Sequence, residues 1–142
     1  MSTYSTSPLY NFINIQLVVN SNTGKFYFPD LPQLRTAKIQ AISFYSRVST
    51  MTQDINNVNL VTVADTSNCF LTLYSGNKEA IQNLPLYKLI NITQTQQGNN
   101  DGLFQFDNLV VDFSKSYVQF ATGYTPTSVL PYSFEFGVYY IK

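Results

Sequence analysis

Ser75 and Lys78 stand at the S-x-x-K spacing, in which a lysine amine can take the proton of a serine hydroxyl and make it a nucleophile. That chemistry needs the serine at the head of a buried helix, with partner motifs further on. Here Ser75-Gly76-Asn77-Lys78 reads as a tight turn between strands, and no SDN or KTG follows. The only glutamates are Glu79 and Glu135, and two carboxylates facing each other across a cleft could hydrolyse a glycosidic bond. Glu135 alternates with Phe134 and Phe136, which puts it on the outer face of a strand, and nothing sets Glu79 opposite it. Asn99, Asn100 and Asp101 carry oxygens that suit calcium, yet between Gly98 and Gly102 they read as a hairpin turn lacking the spaced acids of an EF-hand. Asn91-Ile92-Thr93 is formally a glycosylation sequon at a strand end, with no secretion signal ahead of it.

The residues that are missing narrow the chemistry further. With 0 histidines, Ser-His-Asp and Cys-His sites are excluded, as is a zinc site of the usual Cys and His type. Cys69, the 1 cysteine, cannot form an internal disulfide. Tryptophan, on which sugar-stacking platforms lean, is absent too. No catalytic, cofactor-binding or metal-binding residue is assigned, and no enzyme is expected. Alternating Phe and Tyr along strands reads as core, with tyrosine hydroxyls reaching a rim or a subunit interface.

Strands are the elements that must position whatever this chain presents. Tyr132, Phe134, Phe136, Val138 and Tyr140 fall at the two-residue period of a strand with one buried face. Asn11–Asn20 repeats the pattern with Ile13, Ile15, Leu17 and Val19. Lys25–Phe28 follows a turn ending at Gly24, and Pro29 and Pro32 then stop pairing. Leu34–Ser46 reads as a long strand with a bulge. Val58–Ala64 and Cys69–Ser75 read as strands joined through Asp65-Thr66-Ser67-Asn68. Glu79–Asn83 is a helical turn or an edge strand, and Leu84–Ile90 leads into another strand. Leu103–Phe106, Leu109–Phe113 and Tyr117–Thr122 read as three short strands, Leu109, Val111 and Phe113 facing inward. Turn signals at regular spacing and no longer helical pattern predict an all-β chain: a single jelly-roll antiparallel β-sandwich of about eight strands. An up-and-down barrel and an immunoglobulin-like sandwich are the alternatives. Residues 1–10 form a Ser/Thr-rich N-terminal arm and residues 11–142 one domain.

Length and composition agree with that layout. At 142 residues a single domain is expected, large enough to fold without staples. Apolar residues make up 44%, enough for a core, whereas charged residues reach only 11% against about 25% in an average soluble domain. Asn, Gln, Ser and Thr must therefore supply the surface, which hydrates well but repels neighbours weakly. The 8 basic and 8 acidic residues are scattered singly, so no cluster exists to neutralise phosphates and no nucleic-acid binding is expected. No signal peptide and no membrane-spanning stretch is read. Lysis or assembly into a particle is then the expected way out of a host cell.

Several segments resemble the capsid proteins of tailless icosahedral bacteriophages, in the lineage whose major shell proteins are double jelly rolls. They are Phe26-Tyr27-Phe28-Pro29-Asp30, then Leu34-Arg35, Lys38-Ile39 and Ile42, then Phe70-Leu71-Thr72-Leu73-Tyr74 and Leu84-Pro85-Leu86-Tyr87, together covering roughly residues 24–90. The chain has room for one jelly roll and not two, so the resemblance implies a smaller component. In such phages that is the penton, a single jelly roll assembling as a homopentamer at the five-fold vertices and anchoring spikes. The implied function is a capsid vertex subunit, a virion structural protein made in the host cytoplasm, with copies of itself, the major capsid protein and a spike as partners. The leading alternative is a spike or fibre head that recognises a host surface glycan or protein. Loops 47–57, 94–102 and 123–131, with the arm, are the expected contact regions.

Overall fold

The computed structural model of the chain describes residues 10–90 and 103–142. Its strands are β1 (Asn11–Val19), β2 (Lys25–Tyr27), β3 (Lys38–Phe44), β4 (Val48–Ser49), β5 (Val61–Thr62), β6 (Cys69–Ser75), β7 (Lys78–Pro85), β8 (Leu103–Leu109), β9 (Asp112–Phe120) and β10 (Tyr132–Ile141). A short helix, α1 (Val63–Ser67), separates β5 from β6. Two four-stranded sheets, ordered β1-β10-β3-β8 and β2-β9-β6-β7, are antiparallel throughout, and β4 pairs with β5 as a small parallel ribbon. The molecule is an all-β sandwich, as its alternating strands lead one to expect. Four of the pairs enclose one another: β1 with β10, β2 with β9, β3 with β8, β6 with β7. Among the described residues no helix is long and apolar enough to cross a membrane.

The core follows from the period-2 pattern. In β10 the apolar set from Tyr132 to Tyr140 is buried, while Ser133, Glu135 and Tyr139 look outward. Ile15, Leu17 and Val19 of β1 and Leu71 and Leu73 of β6 add their own inward faces. Rings knit the two sheets together. Phe28, just beyond β2, sits 5.5 Å from Phe113 of β9 and 5.1 Å from Phe136 of β10, and Phe120 of β9 sits 6.3 Å from Phe134. Each buried ring contributes roughly 2–3 kcal/mol of transfer free energy, which is why aromatic content outweighs charge in holding this chain together.

Four boundaries differ from the sequence reading, each for a local reason. Pro32–Leu34 is a 3-10 turn, so the third strand starts at Lys38; the expected bulge is present, opposite β8 between Ile39 and Ala41. Val58–Ala64 is not one strand, because the Thr62 hydroxyl accepts the Asp65 amide at 3.3 Å and caps a helix where the strand was expected to continue. Leu86–Leu89 is a 3-10 turn, which brings Leu86 and Leu89 to one side, both fully buried. The three short strands after residue 103 are two long ones. Asn108, at φ 52°, lies one residue before β8 ends at Leu109, and an exposed Val110 marks the break before β9. Residues 79–83 are edge strand.

Candidate interaction surface

Segments 47–62 and 123–131, far apart in the chain, meet at one end of the sandwich. Their centre is Asp65 on α1, which is fully buried. Its carboxylate accepts the Tyr124 hydroxyl at 2.5 Å, the Thr127 amide at 2.9 Å, the Thr127 hydroxyl at 3.2 Å and the Ser128 amide at 2.9 Å. Around it, the Thr62 amide donates to Ser128 Oγ at 3.0 Å and Asn59 Nδ2 to the Pro131 carbonyl at 2.7 Å. Burial alone would raise the Asp65 carboxyl, but the donors from Ser128, Tyr124 and Thr127 outweigh it and hold the group below its ordinary value. The carboxylate in turn acts on its neighbours. Burial, then Asp65, pushes the Cys69 thiol up to about 12 and the Tyr124 hydroxyl to about 12, and it raises Tyr132 as well. A thiol so shifted is not a nucleophile near neutral pH. This cluster fastens loop 123–131 to α1.

Beyond it lies a rigid turn. Asp54 Oδ1 accepts the amides of Asn56 at 2.8 Å and Val58 at 2.9 Å, and Arg47 Nη1 lies 2.8 Å from Asp54 Oδ2. The Asp54 amide donates to the Val58 carbonyl at 3.0 Å, and Asn57 takes a left-handed φ of 62°. The Val58 amide, opposed in part by burial and helped by Arg47, lowers the Asp54 carboxyl. The apolar side chains this frame presents are Met51, Ile55 and Val58, with Ile55 96% exposed.

The two outer faces carry rings. On the β1–β10 sheet, Phe12 lies 5.8 Å from Tyr45 and 5.0 Å from Tyr139, and the two tyrosine hydroxyls are 3.1 Å apart. Gly137 is the seat of this cluster, since a Cβ there would stand 2.8 Å from the Phe12 ring and collide with Tyr45. A groove of about 310 Å³ runs beside it, lined by Tyr10, Gln40, Ala41, Gln105, Phe106 and Tyr139. On the other sheet Tyr27 packs 5.4 Å from Tyr117, with Lys25 Nζ 4.3 Å above the Tyr117 ring.

The chemical candidates do not assemble. Ser75 and Lys78 flank Gly76, at φ 64°, in the β6–β7 turn, and Glu79 stands in one sheet while Glu135 stands in the other. Glu135 accepts a hydrogen bond from Asn14 at 3.2 Å. Among the described residues no group of three His, Cys, Asp or Glu side chains could hold a metal ion. Asn99, Asn100, Asp101, the sequon, loop 94–102 and the first nine residues of the arm lie outside the described residues. Asp65 is what the sequence reading missed. Thr62-Val63-Ala64-Asp65 is a capping pattern that would have revealed α1, but its partners lie some sixty residues on. No family model, curated protein or solved structure matches this chain.

Proposed function

We propose that this chain is a virion structural protein that acts without catalysis: a penton-type vertex subunit of a tailless icosahedral phage shell, closing five-fold positions through contacts with its own copies and with the major capsid protein. The nested strand pairs carry the reading. Pairs that enclose one another across two four-stranded sheets are what a single jelly roll of two Greek keys requires, and that is the unit expected of a penton. Charged residues at 11% leave the flanks with little mutual repulsion, which suits a ring that repeats one head-to-tail contact. The Ile55 turn is already ordered by Asp54, so docking it costs little conformational entropy.

The test is localisation on purified particles of the encoding virus with a tagged copy of the chain. Label at the five-fold vertices is the expected result. Label elsewhere, or particles that lack the protein, would refute the reading. Ile55→Asp should block incorporation while leaving the Tm of the isolated chain unchanged. One observation favours a second reading, a host-glycan binding module. The groove beside Tyr139 offers rings and the amides of Gln40 and Gln105 without a charged side chain, which is chemistry that suits a sugar. Binding to cell envelopes that is lost in Tyr139→Ala would support it.

A further inference from the structure

Four strands stand at the rims of the two sheets, and three of them are guarded against pairing with another chain. β2 has only three residues, carries Lys25 and runs toward Pro29. β7 carries Lys78, Glu79 and Pro85, holds Asn83 at φ 57°, and slips register twice against β6. β8 carries Asp107 and the left-handed Asn108, and slips against β3. β1 has none of these devices. Its nine residues, Asn-Phe-Ile-Asn-Ile-Gln-Leu-Val-Val, include no charge, proline or glycine, and they match β10 one to one without a shift. Among the described residues no strand pairs with its other side.

The outward side chains of β1 are also self-complementary. An antiparallel copy related by a two-fold axis through Ile15 sets Phe12 opposite Val18 and Asn14 opposite Gln16, each pair occurring twice. Phe12 is 48% and Val18 60% exposed, so both have apolar area left to bury. Phe12 is already braced by Tyr45 and Tyr139. Asn14 and Gln16 each spend one N–H within the sheet, on Glu135 at 3.2 Å and on Ser133 at 3.0 Å. A second N–H and the carbonyl of each amide remain for the partner. Slipping the register by two residues in either direction would set Phe12 against Gln16 or Val18 against Asn14, and slipping by one would turn the apolar row over.

We propose that β1 is a pairing edge for a second copy of this chain, joined antiparallel about a two-fold axis at Ile15, so that two four-stranded sheets become one continuous sheet. The contact is isologous, and so additional to the head-to-tail contact of a ring; the two can be lost independently. The experiment is sedimentation equilibrium of the full chain over a wide concentration range, with hydrogen exchange read over β1. The parent is expected to show a concentration-dependent species of twice the 16.1 kDa chain mass, with β1 amides protected in step with it. Val18→Lys, on an exposed position, should abolish that species while any five-membered ring persists. Charge exchange checks the register. Asn14→Lys/Gln16→Lys and Asn14→Glu/Gln16→Glu should each be monomeric alone and should pair when mixed. A parent that stays monomeric throughout, a Val18→Lys chain of unchanged mass, or folded charge variants that fail to pair when mixed would each overturn the proposal.

Discussion

Asp54 and Asp65 do the same job at the same end of the sandwich, and their surroundings are opposite. Each accepts two backbone amides and fixes the loop that donates them. Asp54 lies at the rim with its side chain 10% exposed and has Arg47 beside it, whereas Asp65 is fully buried and its donors are all neutral. A counter-ion at the rim can be replaced by water and salt when it is removed. Aimed dipoles in the interior cannot, so Asp65 depends on geometry alone and its loss leaves buried donors unsatisfied.

The comparison can be broken most severely at Asp65. Asp65→Asn turns an amide N–H₂ toward at least one existing donor and removes the charge, and it should cost about 3–4 kcal/mol, read by chemical denaturation. Loop 123–131 should then become sensitive to proteolysis. Acid should probe both sites next. Both carboxyls are lowered in the folded state, so the stability they contribute is present above the unfolded value of about 3.9 and is lost as pH falls through their folded values. The parent should therefore lose Tm below about pH 4, and Asp65→Asn and Asp54→Asn should each flatten that slope. At neutral pH Asp54→Ala should lower Tm by a few degrees and loosen the Ile55 turn in hydrogen exchange. Cys69, buried behind Asp65, should resist thiol reagents in the parent and become labelled in Asp65→Asn. The smallest effect belongs to Arg47→Ala, about one or two degrees in Tm and vanishing at high salt. If Arg47→Ala matched Asp65→Asn in cost, the distinction between rim and interior would fail.

The strands that the sequence displays plainly are those with one wet face and one dry face. β1 is such a strand, and β10 follows with a half-buried outer face, because alternation records burial directly. Where the backbone leaves that regime, the signal moves from pattern to single side chains. Thr62 turning a strand into α1 is one example, and exposed Val110 interrupting what read as the strand Leu109–Phe113 is another. The Asp65 cluster was illegible for a different reason. Tyr124, Thr127 and Ser128 look like ordinary polar loop residues until the fold carries them across the sandwich. The same holds for Gly137, whose outward position is legible while the Tyr45 ring over it is not.

The placement of β10 between β1 and β3 also governs how the molecule is made. A ribosome completes β1 and β3 well before Tyr132 opens the strand that must slot between them. Until then both present open hydrogen-bonding flanks to every other nascent chain nearby. Crowded synthesis therefore selects for quick capture of that late strand, and a translational stall just before Tyr132 is where misassembly should begin.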